Sequence, residues 1–163
     1  MKAKHLLAAA CVVGLISGAA LAGPGHKPGE GHSHPEETAY GKPGDPKKPA
    51  RILQIVMRED DGKMLFLPDK LKVRKGEQIR FQLRNNGEID HEFVVATVEE
   101  NLKHMKEMEK NPDMEHDDPN ARRVKPKKTA EIIWQFTKAG TFDFSCLIPG
   151  HRQAGMTGTI VVE

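Results

Sequence analysis

The stretch CLIPGHRQAGM, residues 146–156, decides how the rest of the chain is interpreted. It places Cys146, His151 and Met156 five residues apart, in a glycine-containing loop that leads into the last strand-like segment. A thiolate, an imidazole and a thioether are all metal ligands. The alternative is structural, with Cys146 as a small buried hydrophobe, His151 as a surface turn residue and Met156 as core packing.

A fourth candidate ligand, His91, begins another strand-like segment after the turn-forming residues 85–87. A neighbouring strand could bring its imidazole to the same end of a β-sandwich as the loop. Two imidazoles, one thiolate and a weak axial thioether form the ligand set of copper electron-transfer sites, because soft sulfur favours Cu(I) and imidazole accepts Cu(II). Structural zinc does not use a thioether, and iron–sulfur clusters need several cysteines. The residues therefore predict one copper ion bound by His91, Cys146, His151 and Met156.

From residue 50 onward, apolar residues recur at period two or in short runs, which is typical of strands. The predicted strands are residues 51–58, 64–67, 70–74, 78–85, 91–98, 129–136, 141–146 and 157–162. About eight short strands separated by turn signals predict an all-β sandwich or barrel. Residues 99–123 break the pattern and predict a short inserted helix, ending near Asn111-Pro112, followed by a loop.

Residues 1–22 have the pattern of a cleaved secretory signal peptide. Lys2 and Lys4 precede an apolar run over residues 6–19, and Ala20-Leu21-Ala22 supplies the small-residue pattern before cleavage. The run is shorter than the roughly 20 residues that a membrane-spanning helix needs. The chain is therefore expected in the periplasm, without a membrane span.

The segment after the signal peptide, residues 23–49, contains six glycines, six prolines and almost no aliphatic residues. Such a composition cannot bury enough apolar surface to offset the entropy of ordering the chain, so a flexible tail rich in His, Gly and Pro is predicted. Residues 50–163 have the size of one compact domain.

Charge and cysteine content restrict the possible partners. Cleavage removes Lys2 and Lys4 from the 25 basic residues, so that 23 basic side chains face 23 acidic ones and nothing favours a nucleic acid partner. Cleavage also removes Cys11 and leaves Cys146 without an internal disulfide partner. The mature chain is expected to be a monomer.

The motifs around the loop resemble a known family. GTFDFSC at 140–146, followed by PGH at 149–151, is similar to the copper loop of azurin, and AGMTG at 154–158 is similar to that of plastocyanin. KVRKGE at 72–77 resembles the strand that precedes the first copper-binding strand of the same family, the cupredoxins. The resemblance extends from about residue 50 to the end of the chain and implies the Greek-key cupredoxin fold.

The resemblance also implies roles for single residues. His91 and His151 would be the imidazole ligands, Cys146 the thiolate and Met156 the axial thioether. A small redox protein or a copper-handling partner would dock at the edge around His151, ringed by Leu147, Ile148, Pro149 and Ala154. The family often has Asn after the first His ligand, where it helps to pin the cysteine loop, and this chain has Glu92.

Two further groups of residues allow a second, weak copper site. His26, His32 and His34 in the tail could hold copper loosely, or could be solvated low-complexity sequence. In the inserted segment, His104 and Met108 lie one helical turn apart, and Met105 and Met108 could receive Cu(I). The alternative is that Leu102, Met105 and Met108 only anchor the helix.

These observations lead to three functional hypotheses. The first is a periplasmic one-electron copper carrier linked to copper tolerance, which is not an enzyme. The second is a periplasmic copper chaperone or scavenger that uses the additional His and Met residues. The third is an enzyme with Cys146 as nucleophile and His91 or His151 as base, but it leaves Met156 and the loop spacing without a role.

Overall fold

The computed structural model describes residues 37–111 and 118–163, which form a sandwich of two five-stranded sheets with one helix. The elements in chain order are β1 (Lys42–Pro43), β2 (Arg51–Asp60), β3 (Lys63–Leu67), β4 (Lys70–Val73), β5 (Gln78–Asn85), β6 (His91–Ala96), α1 (Val98–Lys110), β7 (Ala121–Val124), β8 (Thr129–Gln135), β9 (Gly140–Ser145) and β10 (Thr157–Val162). The first sheet has the strand order β1-β8-β5-β2-β3, and the second has the order β4-β10-β9-β6-β7. All eight predicted strands are present, so the predicted all-β sandwich is confirmed.

A cluster of four phenylalanines joins the two sheets. Phe66 and Phe81 come from the first sheet, and Phe93 and Phe144 come from the second. The ring centroids are 5.1 Å apart for Phe81 and Phe93 and 5.2 Å apart for Phe93 and Phe144, in tilted arrangements. Such pairs add about 0.5–1.5 kcal/mol each to the hydrophobic gain of burial. The ring of Phe144 packs directly against the backbone of Gly158. A Cβ at position 158 would lie 2.1 Å from Cζ of Phe144, so a side chain there would displace the ring.

The helix α1 begins with a capping box and covers the outer face of β6. The Thr97 hydroxyl accepts the N–H of Glu100 at 3.2 Å, and the Glu100 carboxylate accepts the N–H of Thr97 at 3.1 Å. Met108 of the helix packs on Val94 of β6 in a small second core. This contact buries Val94 on the outer face of β6, a strand in which every residue is buried, whereas burial alternates along β10. No helix within the described ranges has the length and apolarity needed to cross a membrane.

The predicted loop before residue 123 contains a strand. β7 pairs antiparallel with β6, placing His91 opposite Val124 and Val94 opposite Ala121. The strand has only four residues, with Arg122 and Arg123 between the buried Ala121 and Val124, and therefore shows no period-two pattern in the sequence. Hence the prediction of a helix followed only by a loop over residues 99–123 is wrong for this segment.

The folded domain starts earlier than residue 50. Tyr40 stacks on Trp134 with ring centroids 5.5 Å apart, and its carbonyl accepts the indole N–H at 3.0 Å. Lys42 and Pro43 then pair with β8. Gly41 allows this approach, because a Cβ there would lie 2.1 Å from the carbonyl oxygen of Gln135. The prediction of a flexible tail is thus wrong for residues 37–49. There the ring of Tyr40 supplies buried apolar surface in a segment with few other apolar residues. Residues 23–36 lie outside the described residues.

Tyr40→Ala tests this boundary. The substitution removes a buried aromatic side chain, so we expect the free energy of unfolding to fall by about 2–4 kcal/mol. Denaturant unfolding followed by the fluorescence of Trp134, the single tryptophan of the chain, measures the change. Lys47→Ala, at an exposed position of the same segment, is the control and should change stability by less than about 0.5 kcal/mol. Equal stability of the two variants would contradict a structural role for Tyr40.

Candidate metal centre

Two strands and one loop bring three candidate ligands together at one end of the sandwich. His91 opens β6, Cys146 directly follows β9, and His151 lies in the loop between β9 and β10. The strands pair directly, with Val94 opposite Ser145. His151 Nδ1 lies 3.3 Å from both His91 Nδ1 and Cys146 Sγ, and the three ligand atoms lie within 4.8 Å of one another. All three side chains are buried.

The fourth candidate, Met156, closes the loop that carries Cys146 and His151. Its carbonyl accepts the N–H of Cys146 at 3.1 Å, and its own N–H donates to the carbonyl of His151 at 3.1 Å. Gly150 and Gly155 supply the positive φ values of 88° and 105° that this compact loop needs. The Met156 side chain is fully buried in the same core cluster as Cys146. Its role as an axial ligand stays a prediction.

Glu92, the residue that departs from the family pattern, contacts the thiol through its backbone. Its N–H donates to Cys146 Sγ at 3.2 Å, a hydrogen bond that does not depend on the side chain. The side chain itself is buried, and its residue stands opposite Arg123 in the pairing of β6 with β7. The structure thus holds the cysteine sulfur at this position although the usual Asn is missing.

The three candidate ligand groups are uncharged at neutral pH when no metal is bound. Burial raises the pKa of the Cys146 thiol to about 12. Burial also lowers the pKa of His91, and burial together with the neighbouring His91 lowers the pKa of His151 to about 4. Neutral imidazoles are the form that binds a metal, and binding displaces the thiol proton. A nucleophilic cysteine needs the opposite surroundings, which are partial exposure and a lowered pKa.

The arrangement of these donors fits one soft metal ion. Imidazole nitrogen and thiolate sulfur bind first-row ions at about 2.0–2.3 Å, so donors that share an ion lie roughly 3.5–4 Å apart. The observed spacings of 3.3 Å are close to that value before any adjustment. Two nitrogens and one sulfur, with a buried thioether on the same loop, are the donor chemistry that suits copper. The residues present therefore fit the predicted copper site.

A mostly buried ion pair anchors the loop of residues 146–156, the ligand loop, next to His151. The Arg152 guanidinium donates to both carboxylate oxygens of Asp143, at 2.8 and 3.3 Å, and also contacts the Ser145 hydroxyl. The same carboxylate accepts hydrogen bonds from Thr157 at 3.1 Å and from Asn101 of α1 at 2.7 Å. The network therefore joins the loop to two strands and the helix. Sequence analysis did not find it, because its members are scattered along the chain without a motif.

Sequence analysis also missed Glu59, whose carboxylate lies 2.8 Å from Nε2 of His91. Burial disfavours the charged form of Glu59, but hydrogen bonds from backbone N–H groups, including that of Glu88, outweigh it and hold the pKa of this carboxyl below its usual value. The available signal was the period of β2. Ile55 and Met57 face the core, and Glu59 continues their face of the strand with an acidic residue.

The residues proposed for a second copper site have different surroundings. Met108 is fully buried in the second core, which favours the alternative that it anchors the helix. Met105 is partly buried and packs against the same second core, which agrees with the anchoring alternative, while its Sδ lies 3.7 Å from Nε2 of Gln153 in the loop 146–156. Leu102 remains exposed, so it does not anchor the helix as the alternative supposed. His26, His32 and His34 lie outside the described residues.

The predicted apolar edge around His151 needs one correction. Leu147 is fully buried in the second core beneath α1, so it does not belong to the rim. Ile148 and Ala154 are partly exposed and Pro149 is exposed. His151 itself retains 8% exposure. The sequence could not show that the helix covers the first residue after the cysteine.

Comparison with known proteins agrees with this geometry. Residues 53–163 match the family described as "Copper binding proteins, plastocyanin/azurin family". A protein of Rubrivivax gelatinosus named copper-resistant cuproprotein CopI is 46% identical over 94% of this chain and 93% of its own length. A Pseudomonas aeruginosa protein of the same name is 34% identical over 98% of both chains. Among solved structures, auracyanin B superposes with a TM-score of 0.63 at 20% identity, over 76% of this chain and 96% of its own, which shows a shared fold.

The stability of the metal-free protein should fall in acid. His151 titrates near 6.5 when unfolded and near 4 when folded, so between these values the unfolded state binds the additional proton. From this residue alone we expect the free energy of unfolding to be unchanged between about pH 7 and pH 8 and to fall by about 3 kcal/mol on going to pH 4. Denaturant unfolding at a series of pH values measures the loss. In His151→Gln the acid-dependent loss should be smaller, and an unchanged pH profile would contradict the assignment.

The ion pair beneath the loop should matter far more than a surface pair. Asp143→Asn leaves the mostly buried Arg152 without its carboxylate, and we expect a loss of about 3 kcal/mol in unfolding free energy. Asp60→Asn is the matched control, because Asp60 and Arg58 form a pair in which both side chains are about half exposed. The control should change stability by less than about 1 kcal/mol. Similar losses in the two variants, measured by denaturant unfolding, would show that the network does not anchor the loop.

Proposed function

We propose, from the premise that this chain belongs to the plastocyanin/azurin family of copper-binding proteins, that it is an exported protein with one copper site that carries single electrons and supports copper tolerance. The observation that carries the proposal is the meeting of His91 Nδ1, Cys146 Sγ and His151 Nδ1 within 4.8 Å. We assign these three residues as ligands and Met156 as the weak axial ligand.

Rapid electron transfer requires ligands that move little between the two oxidation states. Bound at this site, copper would supply a one-electron couple between Cu(II) and Cu(I). The chain contributes the rigidity: Cys146 is fixed by the N–H of Glu92 and by a backbone pair with Met156, and His151 is fixed within the same loop. These hydrogen bonds are made by the chain itself, so they restrict the movement of Cys146 and His151.

The partly exposed side of the site supports electron exchange with another protein. His151 is the ligand nearest to solvent, and the exposed Pro149 and the partly exposed Ile148 lie on the same loop. We assign this edge as the docking surface for a small redox or copper-handling protein. A small apolar rim suits a short-lived complex, because an interface that buries little surface binds weakly and dissociates quickly.

The relatives support the proposed role in copper tolerance, and the predicted signal peptide supports the proposed periplasmic location. The two relatives reported above, which match nearly the whole chain, are named for copper resistance. The signal-peptide pattern over residues 1–22 supports export. A protein that cycles copper between oxidation states in that compartment would act where external copper enters first.

A copper chaperone or scavenger is the second candidate. The observation that favours it is the position of Met105, a partly exposed thioether in contact with Gln153 of the ligand loop. Such a side chain could receive Cu(I) beside the main site. The two functions differ in the number of copper ions that the protein needs.

Copper titration of the purified protein tests both candidates. For a carrier, we expect one tightly bound Cu(II) and an intense visible sulfur-to-copper absorption that is lost in Cys146→Ala. Met105→Leu and deletion of residues 23–36 are controls, and they should leave both the band and the stoichiometry unchanged. A second equivalent that disappears in these controls would favour the chaperone, and a wild-type protein without the band would contradict the copper-carrier proposal.

A further inference from the structure

The imidazole of His91 is held from both sides. Its Nδ1 faces the other two candidate ligands and lies 3.3 Å from His151 Nδ1. Its Nε2 lies 2.8 Å from Oε1 of Glu59, which belongs to the opposite sheet. Because a carboxylate accepts a hydrogen bond, this contact places the ring proton on Nε2 and leaves the lone pair of Nδ1 directed toward the metal centre.

The carboxylate of Glu59 is itself held by the loop between β5 and β6. The backbone N–H of Glu88 donates to its Oε2 at 3.0 Å. Gly87 makes this approach possible, because a Cβ at that position would lie 2.4 Å from both carboxylate oxygens. The N–H of Gly87 in turn donates to the fully buried side chain of Asn85 at 2.8 Å. The loop is therefore shaped around the carboxylate.

The position of Glu59 breaks the local pattern of its strand. Ile55 and Met57, the preceding residues on the same face of β2, are fully buried in the main core. A third apolar residue would be the simplest continuation of this face, and an acidic residue there costs desolvation. Departures of this kind are expected where a residue serves function rather than stability.

We propose that Glu59 is a positioning residue of the copper site, which orients His91 and strengthens it as a donor toward Cu(II). The inference rests on the proposed role of His91 as a ligand. A carboxylate that accepts the proton of the distant ring nitrogen fixes the tautomer and raises the basicity of the coordinating nitrogen. A negative charge at this distance also favours the more positive ion, so Glu59 stabilises Cu(II) relative to Cu(I) and lowers the reduction potential of the site.

The main variant is Glu59→Gln, which keeps the size of the side chain and removes its charge. We expect the affinity for Cu(II) to fall about 10–100-fold, the range found when the partner of a metal-bound histidine is removed, with a smaller loss for Cu(I). Each tenfold difference between the two losses raises the reduction potential by about 59 mV for one electron. Glu59→Asp keeps the charge but shortens the side chain, so its reduction potential should differ from that of the wild type by less than that of Glu59→Gln does.

Asp60→Asn is the matched control. It removes the same charge from the next residue, whose side chain is exposed and paired with Arg58. Its reduction potential and copper affinities should equal those of the wild type. A shift as large as that of Glu59→Gln would overturn the proposal, because the effect would then come from general charge rather than from contact with His91. Wild-type values in both Glu59 variants would overturn it as well.

A measurement on the metal-free protein separates this inference from the proposed function. Nitrogen-15 NMR of the histidine rings should show the proton of His91 on Nε2 in the wild type and a mixture of tautomers in Glu59→Leu, which removes the hydrogen-bond acceptor that Glu59→Gln retains. An unchanged tautomer in the variant would overturn the positioning role, whatever the protein does with copper. If the tautomer changes but the wild type gives no sulfur-to-copper band, the proposed function fails while the contact of Glu59 with His91 stands.

Discussion

The burial of a protonated thiol and two neutral imidazoles against one another is the constraint on which the rest of the structure depends. Three polar groups without a surrounding water shell carry a desolvation cost, and each needs a defined partner. The sandwich meets this requirement by placing strand ends and the loop 146–156 around the same point. A metal ion bound among these three groups would replace the proton of the thiol and would be held by two imidazole nitrogens and one sulfur.

Two separate hydrogen-bond networks, one from each sheet, hold the residues of the candidate site. The first sheet contributes Glu59, whose carboxylate accepts a hydrogen bond from Nε2 of His91. The second sheet contributes Asp143, which fixes the ligand loop through Arg152 and reaches the helix through Asn101. The phenylalanine cluster lies between the two networks and keeps the sheets at a fixed separation. The geometry of the centre is thus a property of the whole sandwich rather than of the loop alone.

The fold and three of the candidate site residues could be predicted because their signals are local. Apolar residues at period two or in short runs predicted eight strands, and the spacing of Cys146, His151 and Met156 falls within one loop. His91 could be added because it begins a strand. Contacts between distant segments gave no such signal: Glu59 meets His91 across the sandwich, and Tyr40 meets Trp134 across 94 positions of sequence. The strand β7 was missed because pairing, not composition, makes those four residues extended.

The short β1 has a consequence for the behaviour of separate copies of the chain. β1 is the outer strand of the first sheet, but it has only two residues, and Pro43 has no N–H to offer a neighbour. At one edge of the second sheet, β7 has only four residues and presents two arginines, which repel an identical edge. Short and charged edge strands of this kind disfavour hydrogen-bonded pairing between the sheet edges of separate molecules. Two of the four edge strands that the described residues form, β1 and β7, therefore disfavour aggregation through pairing of sheet edges.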